Sequence, residues 1–291
     1  MPVVAVMTDS NCGLVQKDEE KYGISVIPMP VLIDEKTYYE GIDISPEQFY
    51  EKLSDGAAVT SSMPSPGDVM ERWDTLLEEY DEVVYIPMSS GLSHSCECSA
   101  AFAEEYDGRV HVVDNHRISI TQAQSVFDAR TLAEQGKSGA QIKEILEREA
   151  LDASIYIAVD TLEYLQRGGR VTPAGAAVGT ALNIKPVLTI QGDKLDAYTK
   201  TRGMKSAFKK MCKALQSDVS GRFKSLYEAG CLGVGIANTY MDEESLEGWK
   251  TELAKAFPEM EVMHMPLTLS IGCHIGPGGL GIGVFRKHLK E

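Results

Sequence analysis

Ser89-Ser90-Gly91-Leu92-Ser93-His94-Ser95 (SSGLSHS) stands between an apolar run, Val83 to Met88, and the helix-like segment that begins at Cys96-Glu97-Cys98. The run reads as a buried strand, so the segment is a strand, a small polar turn and a helix start. In α/β folds that arrangement sets free backbone N–H groups over a ligand's negative end. Glycine allows close backbone approach, and serine hydroxyls add donors without bulk. The same residues serve equally well as a plain βα turn with a helix cap. Two further small-residue segments favour the first reading: Ser61-Ser62-Met63-Pro64-Ser65, and Gly272-Cys273-His274-Ile275-Gly276-Pro277-Gly278-Gly279. Read as turns between ordered elements, the three point to one shared pocket.

Working outward, strands alternate with helices through the first half. Val3 to Met7, the run at 83–88 and Val110 to Asp114 read as strands. Ser45-Pro46 and Ser65-Pro66 read as N-cap and first helical residue of two helices. Leu14–Tyr22, Ser119–Glu134 and Ser138–Glu149 read as further helices, and 24–33 as an irregular strand because it carries Pro28 and Pro30. This alternation predicts a largely parallel sheet with flanking helices. After residue 150 the pattern changes. Ile155–Val159 is a strand, Pro173–Leu182 a small-residue helix, and Pro186 to Lys200 a hairpin around Gln191-Gly192-Asp193. A Lys-rich helix from Gly203, a strand at 232–238, a helix at 243–257 and strands at 262–267 and 280–285 follow. The hairpin implies a mixed or antiparallel sheet. The expected architecture is α/β with two domains, 1–150 and 151–291, and the ligand between them.

The chain has 291 residues, 43% hydrophobic and 24% charged, enough for a large core. Its net charge of −15 argues against a nucleic-acid partner. No basic leader opens it and no apolar run is long enough to span a bilayer, so a cytoplasmic location is expected. Six cysteines show no CxxC pair, so free thiols are expected and a metal site is not. Neither GxxxxGK[ST] nor GxGxxG after the first strand occurs, which gives no support for a nucleotide cofactor.

Ser93 could be a nucleophile with His274 as base, but the GxSxG elbow of α/β hydrolases is absent. As donors to an oxygen ligand, Ser93, Ser61 and Ser62 need no activation, and a donating imidazole at His274 suits an anion. Arg170, Lys185, Lys200 and Arg202 gather in one part of an acidic chain, and arginine is shaped to grip phosphate or carboxylate. Asp9 and Asp114, each past a strand end, read as structural.

Together these residues resemble the DegV family of bacterial fatty-acid-binding proteins. The matches are Thr8-Asp9-Ser10, Ser61-Ser62-Met63-Pro64, Ser89 to Ser93, the run DTLEYLQRGGR at 160–170, Asn183-Ile184-Lys185-Pro186, and His274 with Gly276-Pro277-Gly278. The resemblance spans the chain and implies two α/β domains holding a long-chain fatty acid, of the palmitate, oleate or stearate kind. It places the carboxylate on Ser61 and Ser93, with Ser62 and His274 close by. It also implies a carrier rather than a free-standing enzyme, with no cofactor. Its partner would be a kinase subunit of the dihydroxyacetone-kinase type, whose acyl phosphate enters phospholipid synthesis. Arg170 and Arg202 are then candidates for contact with that kinase or its transferred phosphate. Two positions depart from the family: Ser61 replaces its threonine, and His94-Ser95-Cys96 replaces Gly-Thr-Tyr. Both bear on pocket shape and chain-length preference. The rival reading is a serine hydrolase or acyltransferase using Ser93 and His274.

Overall fold

In the computed structural model, which describes residues 2–177 and 183–289, three sheets organise the chain. The first is all parallel, in the order β2-β1-β6-β7: β1 Val4–Asp9, β2 Ser25–Ile27, β6 Glu82–Ile86 and β7 Val110–Val112. Side chains on a strand alternate between faces, and here both faces are apolar. Val4, Val6, Val84 and Ile86 join one cluster with the helices Ser119–Glu134 and Gly139–Arg148. Ala5, Met7, Val83 and Tyr85 join another with Val69, Trp73 and Cys96. Burial on both faces is why these strands read as unbroken apolar runs. The two predicted capping serines act as caps: Ser45 accepts from Gln48 N–H, and Ser65 from Asp68 N–H at 3.1 Å.

The second sheet is mixed, in the order β10-β9-β8-β13-β11-β12. Its strands are β8 Ala153–Ala158, β9 Ile184–Ile190, β10 Asp196–Arg202, β11 Leu232–Asn238, β12 Val262–Pro266 and β13 Leu280–Arg286, and only β11 and β12 run parallel. One face packs on the helix Met204–Ser220. The other carries Ile155, Ile157 and Leu188 into the cluster that also covers the parallel sheet. The α/β class, with a parallel sheet followed by a mixed one, is as the sequence predicts.

The helix Ser119–Glu134 lies between the two large sheets and is buried nearly all round, polar residues included. Glycines in LGVGIAN and LGIGVFR let it approach: a Cβ on Gly235 or Gly283 would come within 3.3 and 3.1 Å of Ile120 Cδ1.

Three features differ from the sequence reading. The expected irregular strand at 24–33 splits into β2 and β3 Pro30–Ile33, and β3 joins a third sheet, antiparallel β4-β3-β5, with β4 Lys36–Tyr39 and β5 Val59–Ser61. The proline pair breaks the ladder, so the chain changes sheet there. In place of a continuous helix at 14–22, there is a 3₁₀ turn at Gln16–Asp18 and one helical turn at Glu19–Tyr22. Finally, Leu269–Ile275 is a short helix rather than a turn, and His274 lies in its last turn. Of the helix expected at 173–182, Pro173–Ala176 is helical, and 178–182 lie outside the described residues.

Candidate functional site

The small sheet and the Leu269–Ile275 helix share an apolar cluster that includes Val31, Phe49, Tyr50, Leu269 and Cys273. That packing brings Ser61, at the end of β5, against His274: Ser61 Oγ and His274 Nε2 are 2.8 Å apart. Glu40 fixes the start of the helix, its carboxylate accepting Leu269 N–H at 2.8 Å. Burial pushes the Glu40 carboxyl up to about 7.

The DTLEYLQRGGR run is the seat for this helix. A Cβ on Gly168 would collide with His274 Nδ1, and one on Gly276 with the Tyr164 ring. Gly278, at φ +75°, packs on the Asp160 carboxylate, which in turn accepts Lys185 Nζ at 2.6 Å. Three separated motifs are therefore one contact surface around the imidazole.

The SSGLS turn enters from the parallel sheet. Asp9 is fully buried, accepts Met88 N–H at 2.8 Å and Asn11 N–H at 2.9 Å, and so fixes the strand ends that carry the turn. Asp114 accepts Ser90 N–H at 3.3 Å. Gly91 has no room for a side chain because Gly192 O and Asp193 of the β9–β10 turn press against it, and Ser89 Oγ donates to Gly192 O. Ser93 Oγ accepts Ser95 N–H at 3.2 Å, which leaves its own proton to donate.

Arg170 ties the two sides: Nε donates to Leu92 O at 3.3 Å and Nη1 to Gly168 O, while Nη2 has no partner among the described residues. Ser61, Ser93, Arg170 and His274 line a cavity whose other walls are mostly apolar, with Met29, Met88, Leu92, Ile120, Ile157, Leu165 and Ile271 among them. The non-atom space in and around it, open solvent included, is about 870 Å³. Burial, and then Arg170 and Arg167, hold His274 down to about 4, so the ring is neutral at pH 7. Its Nδ1 is buried with no partner among the described residues.

Of the candidate residues, the cavity brings together Ser61, Ser62, Ser93, Arg170 and His274. Ser62 is exposed at the mouth, its Oγ on Met63 O. Arg202 stands apart, exposed at the end of β10 and outside the lining. Asn11, Ser119 and Ser270 line the cavity and escaped the sequence reading. They are single polar side chains in apolar surroundings, and no spacing marks them. Among the described residues, no cluster of three or more His, Cys, Asp or Glu is placed to hold a metal, and no helix is long and apolar enough to cross a membrane.

The profile of the DegV family, described as "Uncharacterised protein, DegV family", matches residues 3–287. A DegV domain-containing protein of Deinococcus radiodurans is 31% identical over 283 residues, covering 97% of this chain and 98% of that one. Another, from Listeria monocytogenes, is 33% identical over 287 residues, at 96% and 97% coverage. The fold superposes on the fatty-acid-binding DegV family protein of Thermus thermophilus with a TM-score of 0.87 at 32% identity, covering 98% and 100% of the chains. DegV of Bacillus subtilis, a fatty acid binding protein, gives 0.84 at 29%, with 99% and 100% covered. With that match over nearly its whole length, and with the motifs folded into one site, this chain belongs to the DegV family.

Proposed function

We propose that this chain binds one long-chain fatty acid in the cavity, its carboxylate held by Ser61, Ser62, Ser93, Arg170 and His274. The observation that carries the reading is an apolar cavity with Ser61, Ser93, Arg170 and His274 together in its wall. Each buried methylene contributes about 0.8 kcal/mol. A carboxylate drawn in with the chain is stable only where donors meet it. The two DegV relatives described as fatty-acid-binding, at 32% and 29% identity, support the same ligand. Stearate, palmitate and oleate fit the chemistry alike.

The chain acts as a carrier. His274 Nε2 is engaged with Ser61 rather than Ser93, and its Nδ1 meets no carboxylate among the described residues. A Ser-His-acid relay through Ser93 requires both. The carboxylate at the mouth is presented to a kinase subunit of the dihydroxyacetone-kinase type, as the family resemblance implies, in the cytoplasm. Arg170 steadies the acid and then the acyl phosphate, and exposed Arg202 meets the kinase surface. The two domains divide at residue 150, as 1–150 and 151–291.

Calorimetric titration of delipidated protein with palmitate tests the reading. One site per chain is expected, with affinity falling about tenfold or more in Ser93→Ala. No heat in either protein contradicts it. Labelling of Ser93 by a fluorophosphonate would restore the hydrolase reading. Unchanged kinase turnover with Arg202→Glu would remove that residue from the partner surface.

A further inference from the structure

The glycines of LGVGIAN and LGIGVFR are not alike. Successive strand residues point to opposite faces. Gly233, Gly235 and Ala237 of β11 therefore share a face with Phe285, Gly283 and Gly281, their partners on β13. That face is turned to the central helix and the cavity. Protein atoms crowd three of its four glycines. A Cβ on Gly235 would come within 3.1 Å of Met263 O, one on Gly283 within 3.1 Å of Ile120 Cδ1, and one on Gly233 would collide with the Phe285 ring. Gly281 is different. A Cβ there would meet Ala237 O and Ile157 Cβ at 3.7 Å, which is ordinary contact, and its φ lies outside the left-handed region. No described residue requires glycine at 281.

Gly281 lines the cavity, between its cross-strand partners Ala237 and Ile157, which line it too. Apart from Ala237 and Gly281, every apolar residue of that lining, among the described residues, is a methionine, leucine or isoleucine. The Ala237–Gly281 pair is therefore a depression in a wall of large side chains. Glycine inside a strand carries an entropic cost and leaves cross-strand packing unmade. It marks a place where a ligand or another backbone comes close. Here no described backbone or side chain takes the space, which leaves the ligand.

We infer that the bound acyl chain lies over Gly281, and that this residue, with Ala237 beside it, sets the width of chain the cavity admits. The depression takes a chain that is locally wide, either bent at a cis double bond or carrying a methyl branch. A straight saturated chain passes over it without filling it. A side chain at 281 closes the depression to wide chains first. This rests on the fatty-acid reading and refines its ligand class, naming the residue that separates wide chains from narrow ones.

The test pairs thermal unfolding with competition binding on delipidated protein. The probes are stearate, a set of cis-octadecenoates that differ in double-bond position, and a set of mid-chain methylstearates. Gly281→Ala and Gly281→Val add methyl groups at a strand position with room for them, so both variants should melt no lower than wild type. Gly235→Ala, where packing does require glycine, should melt lower. In wild type at least one bent or branched acid should bind within about tenfold of stearate. Gly281→Val should weaken that acid relative to stearate by about tenfold or more, with Gly281→Ala between the two. The acid with the larger drop, bent or branched, identifies the chain the depression holds. A ratio that both variants leave unchanged overturns the inference, and so does rejection of every bent and branched acid by wild type. Lower melting of both Gly281 variants also overturns it, by making 281 a packing glycine. Failure of every acid to bind wild type, stearate included, overturns the fatty-acid reading instead.

Discussion

Two buried polar clusters in this molecule are built from similar side chains and differ in how many bonds they leave open. In the first, Arg117 is 4% exposed and donates to Ala150 O, Glu149 O and Ser125 Oγ. Asp128 accepts His288 N–H at 2.7 Å and Gln124 Nε2 at 2.9 Å. Glu149 pairs with His288 Nε2 at 2.8 Å and with Arg286 at 3.2 Å. Every charged group there has its partner, and the cluster ties the central helix to the last strand and the chain that follows it. At the mouth, by contrast, Arg170 Nη2, His274 Nδ1 and the Ser93 proton have no protein partner among the described residues. A saturated cluster holds the fold, and an open one is a site. The difference is legible only when partners are counted.

The largest effect expected from breaking this contrast is on stability. Arg117→Met leaves the buried acceptors Ala150 O, Glu149 O and Ser125 Oγ without their guanidinium donor and should cost about 3–5 kcal/mol in urea unfolding. Palmitate stoichiometry in the folded protein should be unchanged. Comparable loss from Arg170→Met would erase the distinction between the clusters.

Next in size is acid sensitivity, where the two histidines have opposite signs. His274 is held down to about 4, chiefly by burial, against 6.5 for the free residue. The unfolded chain therefore binds more protons between those values, so its contribution is complete above 6.5 and lost as pH falls toward 4. At about 1.4 kcal/mol per pH unit this is roughly 3 kcal/mol. His288 is raised, chiefly by its hydrogen bond to Glu149, so its contribution is complete below 6.5 and lost as pH rises through its folded value. Unfolding measured from pH 7.5 to 4.5 should show the His274→Gln deficit shrinking on acidification and the His288→Gln deficit growing. Parallel curves would contradict both assignments.

Smaller effects sharpen the picture at the mouth. Ser93→Ala should weaken palmitate binding by about 1.5–3 kcal/mol, the scale of a hydrogen bond to a charged group. It should cost under about 1 kcal/mol of stability, since the lost bond is a local one near a helix start. Calorimetry and chemical unfolding together separate the two. The smallest effect belongs to Arg202→Ala, which lies outside the cavity and should leave palmitate affinity unchanged to within roughly twofold.

Much of the fold was legible because its signals are local. Alternating apolar runs gave the strands of the parallel sheet, Ser-Pro pairs gave two helix starts, and Gln191-Gly192-Asp193 gave the hairpin. The small third sheet was not legible, since its strands have three or four residues and one begins at a proline. The His274 helix was hidden by Gly272 and the glycines after it, which read as a turn. Tertiary contact with Gly168 and the Glu40 cap hold it instead. At the site, the serines and His274 were found through small-residue turns. Ser119, Asn11 and Ser270 were not, because lining a cavity is a property of the folded chain. Glu40 sits before Gly41 in a polar stretch and gave no sign that it caps a helix more than two hundred residues away.

The most direct test is mass spectrometry of the protein purified from a bacterial host, under native and then denaturing conditions. The account predicts a bound mass matching a long-chain fatty acid in the native spectrum, absent after denaturation, and depleted in the Ser61→Ala/Ser93→Ala double variant. A covalent acyl adduct, or a ligand-free protein that also refuses added fatty acid, would contradict it.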